Sequence, residues 1–147
     1  MKGCELYEVE VPAGKKSEGI TPYADANDVN LFYVISGNGH ITFLNDNSEV
    51  PLLPDTYVTT NGADTFEISA YSKLRIAVVL HHNDHKIERF YTTLKKISNT
   101  ERDVSWGNGQ SRRFAIKKDG LGFAFANTLG WTNCDSSLEY KHHKEFW

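Results

Sequence analysis

The sequence predicts an all-β fold, a barrel or sandwich of short strands with one linking helix and additional C-terminal strands. Three observations carry that prediction. The chain of 147 residues has the length of one ordinary domain, and its seven Tyr, eight Phe and three Trp against 11 Gly and four Pro suit pleated, half-buried surfaces. Apolar residues recur with period two. Turn signals interrupt them at roughly ten-residue intervals, the spacing of a sandwich or barrel.

The elements follow in order. Leu31-Phe32-Tyr33-Val34-Ile35 is a β-branched and aromatic run that stops at the turn Ser36-Gly37-Asn38-Gly39. His40 to Leu44 alternates and ends at Asn45-Asp46-Asn47-Ser48. Glu49 to Leu53 leads to Pro54-Asp55, and Thr56 to Thr59 reads as strand again. Thr65 to Ala70 alternates, and Leu74 to Leu80 is an inner strand. From His85 to Ile97 the pattern changes: Ile87, Phe90, Tyr91, Leu94 and Ile97 fall on one helical face, and Asn83 or Asp84 can cap it. Strand pattern resumes at Arg113 to Ile116, turns at Lys117-Lys118-Asp119-Gly120, and continues through Leu121 to Ala126 and Ser137 to Tyr140. The expected organisation is a first β unit over 1–82, a linker helix over 83–100 and a partial second β unit over 101–147. Residues 101–147 read either as the opening strands of a tandem repeat offset by about 115 residues or as part of one larger sheet with the first unit. On the repeat reading, half a barrel exposes strand edges that call for a second chain.

Composition excludes several classes. Sixteen Lys and Arg against 19 Asp and Glu give a net charge of −3, without the basic stripe that nucleic acid requires. No apolar run reaches the ~20 residues of a membrane span. Cys4 and Cys134 are too few for a disulfide framework. The start, Met1 to Glu8, lacks the apolar stretch of a signal peptide, so the expected compartment is the cytoplasm.

Candidate sites follow from residue type. On a strand, His143 and Glu145 share a face while His142 points away, and imidazole with carboxylate suits iron or zinc. His81-His82-Asn83-Asp84-His85 is a second His-rich tract, but its spacing fits no closed metal site and a solvated loop explains it. Gly37-Asn38-Gly39 and Gly107-Asn108-Gly109 precede no helix in a βαβ unit, so they read as turns and not as phosphate cradles.

Two resemblances sharpen this. Asn30 to Val79, with NLFYVISGNGHITF, EVPLLPDTYV and LRIAVV, resembles a cupin, a jelly-roll β-barrel; Gly37-x-Gly39 stands where its first motif ends, and Pro54-Asp55 where its second opens with Pro-Gly. Ser111 to Trp147 is similar to the N-terminal half of an ectoine synthase, itself a small cupin, through Asp119-Gly120-x-Gly122-Phe123-x-Phe125 and Tyr140-Lys141-x-His143-x-Glu145. That resemblance implies ferrous iron and closure of N-γ-acetyl-2,4-diaminobutyrate to a cyclic amidine with loss of water. By position, Glu145 resembles the iron-ligating Glu, Tyr140 and His143 resemble catalytic-pocket residues, and Trp106, Arg113 and Asn127 resemble substrate contacts. The sequence departs from the pattern in three ways. Trp106-Gly107-Asn108-Gly109-Gln110 lengthens the Trp-to-Arg interval, Leu129 stands where a Thr is expected, and the family's remaining Tyr and His ligands have no counterpart in the second unit. In the first cupin the ligand positions carry Asn30, Val58 and Phe66, so the resemblance there implies a barrel without metal.

Two expectations result. One is an ectoine synthase-like hydro-lyase with ferrous iron and a small-molecule substrate, acting as a homo-oligomer that completes the C-terminal half-cupin. The other is a non-catalytic cupin that binds a small molecule or serves dimerisation.

Overall fold

The computed structural model describes residues 4–17, 25–107 and 109–130. These fall into two compact units that divide between Thr93 and Leu94. The first contains, in chain order, β1 (Cys4–Val11), β2 (Val29–Ser36), β3 (Gly39–Phe43), β4 (Glu49–Leu52), β5 (Thr56–Asn61), β6 (Phe66–Ala70), β7 (Leu74–His81) and β8 (Phe90–Thr93). They form two antiparallel sheets, one in the order β1-β7-β2-β5-β8 and one in the order β4-β3-β6. The all-β barrel expected from the alternating runs is therefore what these residues build.

Alternation explains the packing. Phe32, Val34, Val58, Ile76, Val78 and Leu80 of the larger sheet join Ile41, Phe43, Val50, Leu52, Phe66 and Ile68 of the smaller one in a single core. Each inward residue is followed by one of opposite facing, as the pleat requires. Phe66 stands edge-on to Phe32 at 5.1 Å between centroids and to Phe43 at 6.2 Å, so aromatic contacts fasten the two layers. Pro51 lies on β4, an edge strand, where a missing N–H breaks no ladder.

The turns answer the motifs. Asp55 adopts φ 61° where the cupin pattern has Gly, and it accepts a hydrogen bond from the Tyr33 hydroxyl. Asp is one of the few residues that tolerate this left-handed conformation. Gly37 has φ 89°, and a Cβ there would fall 2.8 Å from the Lys73 carbonyl carbon.

The linker helix expected over 83–100 needs correction. Only Leu94–Ile97 is helical (α1), and Phe90–Thr93 is β8, paired to β5 with Phe90 opposite Thr59 and Thr92 opposite Tyr57. The apolar spacing fitted a helix, but the same residues can bond to the open edge of β5, and the ring of Phe90 packs on Tyr57 at 5.7 Å. Asn61 adds a side-chain hydrogen bond to the Ile87 carbonyl at 3.2 Å, holding the approach in extended form. A helix of one turn makes too few internal bonds to compete with that pairing.

The second unit carries α1 and a three-stranded antiparallel sheet in the order β11-β10-β9, with β9 at Asp103–Trp106, β10 at Gly109–Ala115 and β11 at Phe125–Gly130. The expected turn at Lys117 to Gly120 is a single 3₁₀ turn, Lys117–Asp119, closed by Gly120 at φ 80°. The strand expected from Leu121 starts instead at Phe125, and Leu121 is a buried anchor before it. The strand expected at Ser137 to Tyr140 lies outside the described residues.

Candidate functional site

The β9-β10-β11 sheet positions the expected substrate contacts. Gly109 pairs with Trp106, Arg113 with Ala126, and Arg112 with Asn127. Because directly opposed residues share a face and neighbours alternate, Trp106, Ser111, Arg113 and Thr128 lie on one face. Asp103, Gln110, Arg112, Asn127 and Leu129 lie on the other. The structure thus puts Trp106 and Arg113 on one face, with Arg113 four residues along β10 from the Gly109 that Trp106 opposes, and places Asn127 beside Arg112 on the other. The cause is register: Arg113 faces Ala126, so the next residue along β11 must face away.

The same count bears on the missing Thr. Leu129 is on the far face, and Thr128, directly opposite Ser111, supplies a hydroxyl on the Trp106 face. Ser111 and Thr128 escaped sequence reading. Counting by twos from Arg113 across the hairpin would have found both.

Local packing fixes this face. A Cβ on Gly109 would fall 2.5 Å from Cε2 of the Trp106 indole, so the ring lies directly over the glycine. That close approach needs glycine at position 109. A register shift between Arg113 and Ala115 marks a bulge, a device that re-aims side chains beside it.

Behind Arg113, Arg102 holds the hairpin. Its guanidinium donates to both carboxylate oxygens of Asp119, at 2.9 and 2.5 Å, and to the Phe114 carbonyl at 3.2 Å. Its own carbonyl accepts from the Arg113 N–H at 2.8 Å. Burial works against ionisation of Asp119. The hydrogen bonds from Arg102 and the Ile116 N–H, with the Arg102 charge, outweigh it and hold the carboxyl below its ordinary value.

Tyr140, His143 and Glu145 lie outside the described residues, as does His142. Among the described residues no group of three or more His, Cys, Asp or Glu could hold a metal ion. His82 Nδ1 instead meets the buried carboxylate of Asp28 at 2.7 Å, and Asn83 donates to the His85 carbonyl, so this tract is a hydrogen-bonded loop. At the first barrel's ligand positions, Phe66 and Val58 are fully buried in the apolar core. Asn30 is buried as well, its amide bonded to Thr60 at 3.3 Å. This donor set does not fit a ferrous ion, which takes imidazole and carboxylate.

Comparison with known proteins bears on the second unit. Residues 90–147 match the ectoine synthase family model. The chain is 40% identical over 53 residues to L-ectoine synthase of Mycobacterium sp. (strain KMS), which covers 36% of this chain and 41% of that protein. Against L-ectoine synthase of Sporosarcina pasteurii it is 34% identical over 53 residues, covering 36% and 40%. The chain therefore spans about two-fifths of the length of these ectoine synthases. A solved glyoxylate-induced protein from Pseudomonas aeruginosa superposes with a TM-score of 0.63 at 19% identity, over 80% of this chain and 45% of that one. That likeness shows the fold alone, and the fold is that of the cupins. No helix among the described residues is long and apolar enough to cross a membrane.

Proposed function

We propose that the second unit is the substrate-holding half of an ectoine synthase-like hydro-lyase. In that reaction the free amine of N-γ-acetyl-2,4-diaminobutyrate attacks the acetamide carbonyl carbon, a C–N bond forms, and the carbonyl oxygen leaves as water to give a cyclic amidine. The observation that carries the reading is the family match over residues 90–147, joined to a hairpin that carries Trp106 and Arg113 on the same face. On this reading the exposed Arg113 guanidinium takes the substrate carboxylate in a forked pair, and the indole covers its methylene chain. Ser111 and Thr128 offer hydroxyls to the amine or acetamide. Ferrous iron, attached by the resemblance to Glu145, would supply a Lewis acid for the acetamide oxygen when bound. Assembly with a second copy, to complete the C-terminal cupin, is part of the same proposal.

Calorimetry on the anaerobic, iron-supplemented protein with the acetylated diamine tests it, with proton NMR to detect the amidine. Saturable binding is expected, weakened about 10- to 100-fold by Arg113→Ala, the loss of a charge-assisted hydrogen-bond pair. Arg112→Ala, on the far face, should leave affinity within about twofold. Absence of saturable binding, or equal loss from both variants, would overturn the reading.

A further inference from the structure

We infer that Gly109 is a positioning residue for the substrate: it seats the Trp106 indole on the backbone of β10, so that a ring carried by β9 acts from the place of residue 109. The inference deepens the proposed reading of this face and rests on it.

Two ordinary reasons for glycine in a strand do not apply at this position. Gly109 has no positive φ, unlike Gly14, Gly37 and Gly120. Neighbouring backbone does not crowd it either. The three atoms nearest to an added Cβ all belong to the Trp106 indole, with Cε2 and Cζ2 at 2.5 Å and Nε1 at 2.8 Å. At Gly39, by contrast, the nearest atom is the Ser69 carbonyl oxygen. Glycine inside a strand marks a close approach, and here the approaching group is a side chain. The ring stands where a Cβ would stand, so it rests on the β10 backbone itself.

Register gives this seat its use. Gly109, Ser111 and Arg113 alternate along β10 with their intervening residues and form one row on the Trp106 face. The indole completes that row at position 109. Trp106 is half-buried, so part of the ring stays open to a ligand, and Arg113 at the other end is exposed. Four residues of strand cover about 13 Å. An extended N-γ-acetyl-2,4-diaminobutyrate measures about 7 Å from carboxylate carbon to methyl carbon. A charge-assisted hydrogen bond of ~2.8 Å at Arg113 and a carbon contact of ~4 Å at the ring make up most of the remainder. One molecule laid along the row therefore reaches from the guanidinium to the indole, passing the Ser111 and Thr128 hydroxyls.

A methyl group at 109 would turn the ring out of that row. The ring is the end of a rotatable side chain, so it yields before the hairpin does. Gly109→Ala should therefore remove the contact while the second unit stays folded.

The test is a double-mutant cycle in affinity, by calorimetry on the anaerobic, iron-supplemented full chain with the acetylated diamine. Trp106→Ala and Gly109→Ala should each weaken binding about 10-fold, the worth of one or two apolar carbons uncovered. Because both changes act on one ring, the two together should also cost about 10-fold and not about 100-fold. Trp106→Ala combined with Gly109→Trp carries the indole on residue 109 itself, which its ordinary φ permits. This variant should bind within about threefold of the wild-type chain, a rescue that a merely structural glycine would not give. Without ligand, the ring current of the indole should displace the Gly109 α-proton signals, and Trp106→Ala should return them to ordinary values. Undisplaced signals, additive losses, or a transplanted indole no better than Trp106→Ala would overturn the inference, while wild-type binding and its dependence on Arg113 stand. If the wild-type chain shows no saturable binding, the proposed reaction falls and this role falls with it.

Discussion

Asp46 shows how a single carboxylate comes to govern a loop. Its Oδ1 accepts from the Ser48 hydroxyl at 2.6 Å and from the Ser48 N–H at 2.9 Å, and its other oxygen meets the Arg89 guanidinium. These bonds, the Ser48 hydroxyl first, lower its pKa from 3.8 to about 2. Arg89 is itself fixed, since its Cζ lies 3.8 Å over the Phe43 ring and it reaches Asp64 at 3.4 Å. A depressed folded-state value means that this carboxylate stabilises the fold fully above the ordinary carboxylate pKa, and that the contribution fades as pH falls from about 4 towards about 2. Carboxyl-carbon NMR should place the Asp46 midpoint near pH 2, and Ser48→Ala should move it upward; an unchanged midpoint would refute the ordering of causes. The sequence showed Asn45-Asp46-Asn47-Ser48 as a turn and nothing more. The partner that tightens it lies 43 residues away, and no local pattern announces such a pair.

At the scale of elements, Gly37 and Gly39 separate two reasons for glycine. Gly37 combines a positive φ with a blocked Cβ position, whereas Gly39 has an ordinary φ and would press its Cβ to 2.8 Å from Leu74 Cδ1 and closer still to the Ser69 carbonyl. Gly14, at φ 71°, has open space around it. Denaturant unfolding should therefore show Gly14→Ala costing about 1 kcal/mol, the conformational penalty alone, against about 2–4 kcal/mol for Gly37→Ala and Gly39→Ala. Equal losses at Gly14 and Gly37, with little loss at Gly39, would show that φ and not crowding sets the cost. This turn was legible because glycine is conspicuous. β8 was not, because Phe90 falls on a helical stripe with Ile87, Leu94 and Ile97, and only the open edge of β5 draws Phe90–Thr93 into a strand. β1 escaped for a related reason: Leu6 and Val9 alternate with Glu5, Glu8 and Glu10 yet stay exposed, so the apolar signal of a buried strand is weak. Asn127 raises a different question. The resemblance named it by position, whereas its facing is set by register, and one position along a strand reverses it.

The described chain divides into two compact units. Among the described residues, every member of the first barrel's core cluster lies between Val11 and Leu80. The ion pairs that fasten its strands, Lys73 with Glu10 and Arg75 with Glu8, are likewise internal. All three Trp residues, by contrast, stand at 106, 131 and 147, within the segment that matches the ectoine synthase family. This gives each unit its own optical signal: tryptophan emission for the second unit, and tyrosine for the first once it is isolated. A polypeptide of residues 1–93 keeps the whole core and both sheets of the barrel, including the β8 edge, and should unfold in one cooperative transition with a dispersed amide spectrum. A collapsed, undispersed spectrum would show that the barrel's stability is borrowed from the remaining chain. The division also explains what composition could tell. Alternation and turns describe each unit from within, so β2 to β7 of the first barrel were readable, while the chemistry proposed for the second unit was visible only through its likeness to an enzyme of which the chain spans about two-fifths.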